Sequence, residues 1–344
     1  SMISKLNDDF WKEKKLTQID EVLRQCLGLF AEVSTLSSSK TKGDTCSFNI
    51  EIINRSTQEV KFRNFEILES DFSQNYNEEL PFNQAINIKN KWVISKTTKI
   101  SQPYWLVNPS NLGGSVVNDQ LLIGQPESLP SAHFKLTFEV DEVMISFLRP
   151  LIFKWNDPVK GEQKKNWVIT PKVTANLDQD VKIFTPLKKQ KVTINLRSHT
   201  KNQSGSIELK TPRGWNVTGS NSFQFKFADE EQKIIFEITP ASNAETGFAE
   251  VYINGRLAKG FNPIAYDHIS SQLWFPDAKM KLVSLDLNIP PKKIGYLTGA
   301  GDKVGDALLN LGYELDFLDP EKLDESTLLS YDVILTGVRF FNVN

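Results

Sequence analysis

Apolar positions near the start of the chain recur at helical spacing. Leu16, Ile19, Leu23, Cys26 and Leu27 fall on one stripe, which predicts a helix over residues 5 to about 28. Thr17 with Asp20 or Glu21 supplies a start signal, and Gly28 a stop. Trp11 is expected to anchor the segment before the helix, and the stripe to dock it on a neighbouring domain.

From Leu29 the period falls to two. LFAEVSTL, TCSFNIEIINRS, EVKFRNFEIL, INIKNKWVI, HFKLTFEV, VMISFLRPLIFKW and KNWVITP read as short antiparallel strands, and together as a β-sandwich. A second set runs from VKIFTP through QKVTINLRS, GSIELKTP, GWNVTG, SFQFKFAD and QKIIFEITP to GFAEVYING, about seven strands, the size of one immunoglobulin-like sandwich. After Tyr266-Asp267-His268 the pattern changes again. KKIGYLTG, VGDALLNLG, YELDFLD, KLDESTLLS and YDVILTGV alternate strand and helix, as in a flavodoxin-like parallel sheet. The fold class is therefore mainly β with α/β. The expected layout is a helical linker at 1–28, a first β-sandwich at 29–173, a second at 174–268, and an α/β unit at 269–344 that reads as cut short at Asn344.

Composition changes this picture little. The 40% hydrophobic and 24% charged content is that of a globular protein. A net charge of -2 argues against nucleic acid or an anionic membrane as partner, and no apolar run is long enough to span a bilayer. The N-terminus lacks the apolar core of a signal peptide, and Ser1 ahead of Met2 reads as a residue left by cloning. Cys26 and Cys46 could form one bridge, but are expected to be small buried hydrophobes.

Candidate chemistry is sparse. Gly299-Ala300-Gly301, with Gly305, follows a predicted strand and opens a predicted helix, the setting of a dinucleotide-binding turn. Asp319 stands where a ribose-binding acid would. Against this, Asp302 puts a negative charge into the turn, so the glycines serve equally as a tight strand-to-helix connection. His133, His199 and His268 are isolated, with no ligand spacing for a metal; the first two are expected at the surface or at strand edges. Tyr104, Trp105 and Trp215 sit beside Pro or Gly, where exposed rings could stack on sugars or, alternatively, cap the cores. Asn54, Asn202 and Asn216 head glycosylation sequons of a kind that arises by chance.

FWKEKKLTQIDEVLRQCLGLFAE, TCSFNIEIINRS, PYWL, LLIGQPE, DPVKGE, PRGW, YDHI, IGYLTGAGDKVGDAL and YDVILTGVRFFN, in that order, resemble the C-terminal region of large bacterial LmbE/PIG-L-type de-N-acetylases. The segment around PRGW is similar to galactosidase-associated sandwiches, and the last segment to the opening of a ThuA-like, glutamine amidotransferase-like domain. The resemblance implies an upstream catalytic domain as partner in an exported parent enzyme, and an N-acetylated glycan as ligand. It carries over no catalytic residue, metal or cofactor, since the Ala-His-Pro-Asp-Asp-like loop and the His-x-x-His are both missing from these residues. A non-catalytic accessory region is the expectation. A purely structural spacer and a nucleotide-binding α/β domain are its rivals.

Overall fold

The computed structural model describes residues 2–343. Ser1, read above as a cloning residue, and Asn344 lie outside them. The chain is mainly β, arranged in several sheets.

The first helix is Asp9–Cys26, shorter than expected. Asp8 caps it by accepting the Trp11 N–H at 3.1 Å, so the signal at Thr17 plays no part in starting it. Gly28, at φ +59°, supplies the left-handed residue that ends it. The apolar stripe does little to dock the helix: Leu27, just past its end, packs against the first core, but none of the helix residues is buried and Trp11 lies exposed against Phe10. Charge holds it instead. Glu21 pairs with Arg149 at 2.8 Å and with Arg24, while Arg24 Nη1 donates to the Leu29 carbonyl at 2.7 Å. These partners, the Arg24 hydrogen bond foremost, pull the Glu21 carboxyl down to about 2.

In the first β body, strand Thr45–Asn54 shows the alternation directly: Cys46, Phe48, Ile50 and Ile52 point inward. Phe48 meets Phe65 and Phe134 edge to face across the core, at 5.6 and 4.8 Å. Strand Val143–Asp157 changes partner midway. Its first half pairs antiparallel with His133–Val140, and Leu151–Phe153 then run parallel to Val33–Thr35. Pro150, which has no N–H to give a ladder, stands at the changeover. The polar strand Ser73–Glu79 pairs at one edge; its sequence carries no apolar alternation to announce it.

The second body places Val173–Leu177, Gln190–Ser198, Glu231–Pro240 and Trp215–Gly219 in one antiparallel sheet. Another sheet is built on Gly247–Ile253, flanked by Gln203–Lys210 and Lys279–Ser284. Val192, Ile194, Ile238, Val251, Met280 and Leu282 belong to their common core. The hydrogen-bonded body thus runs past residue 268, the edge expected from the sequence, since Met280 and Leu282 on Lys279–Ser284 fill its core. At the joint between the bodies, Ser39–Thr41 pairs parallel with Val168–Thr170, and Thr200 Oγ1 donates to Asp44 Oδ2 at 3.0 Å.

The C-terminal unit is a three-stranded parallel sheet. Lys293–Leu297 lies between Glu314–Phe317 and Val333–Thr336, and helices Val304–Leu311 and Glu325–Leu329 occupy the crossovers. Gly312, at φ +99°, caps the first of these helices.

Candidate functional site

Residues 95–131 leave regular structure except for the single turns Tyr104–Leu106 and Gln120–Leu122. Long irregular segments of this kind are where binding residues concentrate. This one forms a wall of a cleft of about 440 Å³, whose other walls come from Asn166–Val168 and from Ser271–Leu273, beyond the second body's sheets. That volume falls within the roughly 300–1,000 Å³ of small-molecule sites.

Apolar side chains such as Ile100, Leu129, Val168 and Leu273 make up much of the lining, and the polar ones among them are held in place by their own hydrogen bonds. Ser101 and Ser131 share a hydroxyl contact, and Ser101 Oγ also accepts the Ile169 N–H at 2.7 Å. Ser128 Oγ donates to the Gln102 carbonyl at 3.0 Å and accepts the Tyr104 N–H at 2.8 Å. Asn166 donates to Glu127 at 3.0 Å. Glu69 accepts from the His133 backbone at 2.8 Å and meets its Nδ1 at 2.7 Å. Burial pushes the Glu69 carboxyl up, but the His133 contacts together outweigh it and hold it below the usual range. Trp167 also lines the cleft. It is 1% exposed and packs 5.6 Å from Trp92, and its indole N–H has no acceptor among the described residues. The Trp92 N–H is likewise without an acceptor there, on a core residue of the first body.

The three aromatic residues singled out in the sequence do not assemble into a platform. Tyr104 and Trp105 are half-buried, edge to face at 4.8 Å, with the Tyr104 hydroxyl donating to the Gln125 carbonyl at 3.1 Å. They adjoin the cleft wall at Pro103. Trp215 belongs to the other body, where it is 8% exposed, lies edge to face with Phe184 at 5.0 Å and donates its indole N–H to the Glu245 carbonyl at 2.8 Å. The expectation of a sugar contact there gives way to a core role, because both its ring and its N–H are already engaged.

An aromatic pair that sequence reasoning missed lies on the Val143–Asp157 strand. Phe153 and Trp155 stack at 4.9 Å and 16°, with the Lys165 ammonium over both rings. The i, i+2 spacing in FKW was its signal.

The glycine turn is filled by its own side chain. Asp302 accepts from the Tyr296 hydroxyl, from Val304 N–H and from Val338 N–H, and so occupies the donors a phosphate would need. A Cβ on Gly299 would overlap the Val338 carbonyl oxygen, so this glycine serves the close approach of two backbones; Gly301 serves a positive φ of +66°. The nucleotide expectation at Gly299, Gly301 and Asp302 thus meets a turn whose donors are taken. Asp319, the other half of that expectation, caps a single turn at Pro320–Lys322 by accepting the Glu321 N–H.

The histidines are separate. His133 pairs with Glu69. His199 contacts Thr174 Oγ1 at 3.0 Å and is more enclosed than expected, burial pushing it down to about 4. His268 is exposed beside Tyr266. Among the described residues no group of three His, Cys, Asp or Glu could hold a metal ion. Both cysteines are free, Cys46 buried as expected and Cys26 exposed. The Asn54 side chain is buried and donates to the Gln58 and Leu80 carbonyls, so it has no room for a glycan. Among the described residues no helix is long and apolar enough to cross a membrane.

No protein-family model matches the chain, and no curated protein sequence matches it. Among solved structures, red sea bream transglutaminase aligns with 81% of this chain and 34% of its own, at 7% identity and a TM-score of 0.30. A protein of unknown function from Porphyromonas gingivalis W83 aligns with 74% of this chain and 99% of its own, at 10% identity and a TM-score of 0.19. Salmonella alpha-2-macroglobulin reacted with methylamine covers 74% of this chain and 16% of its own, at 6% identity and a TM-score of 0.26. At these scores none carries an argument about fold or function.

Proposed function

We propose that this chain is a non-catalytic accessory region of a multidomain, exported LmbE/PIG-L-type de-N-acetylase, and that it holds the parent's upstream catalytic domain on an N-acetylated glycan. On this reading the two β bodies are immunoglobulin-like sandwiches, and the last unit is the opening of a flavodoxin-like, ThuA-like domain. The ordered run of motifs from FWKEKK to RFFN supports the parentage.

The single observation that carries glycan binding is the cleft of about 440 Å³, where Trp167 stands among hydroxyl and amide side chains. Ser271 and Gln272, in the same lining, add a hydroxyl and an amide of the kind that polyhydroxylated ligands use.

Titration with chitooligosaccharides and peptidoglycan fragments tests the reading. Saturable binding supports it, and absence of binding at millimolar ligand refutes it. The alternative role, a structural spacer, draws its support from Trp215 in the core and from the direct Thr200–Asp44 tie between bodies.

A further inference from the structure

A second cleft, of about 210 Å³, lies along the same wall. Ser38, Lys165, Arg197, His199 and Phe261 line it, and it shares Asn166, Val168, Ser271 and Leu273 with the first. Four residues common to both linings make the clefts neighbours on one surface rather than unrelated depressions.

Their chemistry is also matched. The first cleft presents Lys99 against Glu69 and Glu127; the second presents Lys165 and Arg197 against Asp229. Along the whole length the charges balance, which disfavours a strongly anionic or cationic ligand. Each lining includes one residue with a buried N–H that has no acceptor among the described residues, Trp167 in the first and Arg197 in the second. Arg197 is fixed by Asp229 at 2.9 Å and Glu231 at 3.2 Å, with its guanidinium over Phe261 at 5.1 Å. Phe261 is in turn clamped by Asn176, which accepts the Phe261 N–H at 2.7 Å and donates to its carbonyl at 3.1 Å. The far wall is thus as prearranged as the near one, and it belongs to the second β body.

We infer that the two clefts form one continuous groove that takes a neutral, linear oligosaccharide, and that the bound chain bridges the two β bodies. The inference rests on the glycan reading above and adds to it the length, charge and placement of the ligand. A short saccharide satisfies one cleft. A longer one fills both, and its second half binds at the high effective concentration set by the first.

The experiment is a calorimetric titration of the full chain with N-acetylglucosamine oligomers from the disaccharide to the hexasaccharide. It is repeated on Lys165→Ala, which alters an exposed side chain, and on Ser38→Trp, which fills the second cleft; circular dichroism confirms that both variants are folded. Affinity is expected to rise by roughly tenfold or more from the shortest to the longest oligomer. Both variants are expected to lose that increment while keeping the disaccharide affinity. Length-independent affinity, or an increment that survives in Ser38→Trp, overturns the groove and leaves the single-cleft reading standing. No binding at any length refutes the glycan reading itself, and the groove with it.

Discussion

The Asp302 carboxylate accepts the Tyr296 hydroxyl while taking the Val304 and Val338 N–H groups at 3.1 Å each. Burial, and then this carboxylate, push the Tyr296 phenol up to about 12, while the tyrosine holds the Asp302 carboxyl low. One side chain thus ties the first strand, the start of the following helix and the turn after the third strand of the C-terminal unit. NAD and nucleoside phosphates are therefore expected to leave the thermal midpoint unchanged. Tyr296→Phe should lower the midpoint of urea denaturation. A nucleotide-dependent rise in the midpoint would contradict the plugged turn.

Two glycines in that turn should respond differently. Gly301 has open space where a Cβ would go and only its positive φ to lose, so Gly301→Ala should cost about 1 kcal/mol. Gly299→Ala drives a methyl into the backbone at Val338 and should cost more, about 3 kcal/mol. Hydrogen exchange across residues 293–336 in the two variants measures the contrast.

Trp215→Phe removes the indole N–H from the Glu245 carbonyl but leaves a ring against Phe184. Stability should fall by about 1–2 kcal/mol with glycan affinity unchanged. Equal loss of affinity and stability would restore this residue to the binding surface.

His199 confers acid sensitivity. Burial, and secondarily the charge of Arg197, lower its folded pKa to about 4 from the ordinary 6.5. The unfolded chain therefore binds the proton first on acidification. The stability tied to a neutral ring is fully present above pH 6.5 and is lost as pH falls toward 4, about 3 kcal/mol across the window. The urea midpoint of His199→Gln should vary less between pH 7 and pH 4.5 than that of the native chain.

Strands with strict alternation, such as Thr45–Asn54 and Gln190–Ser198, were readable because one face is core and the other solvent. Ser73–Glu79 was not, since an edge strand of polar residues satisfies its backbone without an apolar face. The first helix misled for the opposite reason: its apolar stripe is real, but Glu21, Arg24 and Arg149 hold it, and an ion cluster leaves no periodic trace. Trp215 followed a Gly turn and stayed open between a sugar contact and a core cap; it begins a strand at an inward position. The cleft was beyond sequence reasoning altogether. Glu69, Ser101, Ser128, Trp167 and Gln272 meet only through the tertiary fold, and none carries a motif.

The proposed function places a sugar in the cleft that Trp167 lines. The most direct measurement follows the Trp167 indole N–H signal by NMR, assigned with Trp167→Phe, during titration with N-acetylglucosamine trisaccharide. A saturable shift of that signal is expected, with the Trp215 signal unmoved. A Trp167 signal that stays in place up to millimolar saccharide would contradict it.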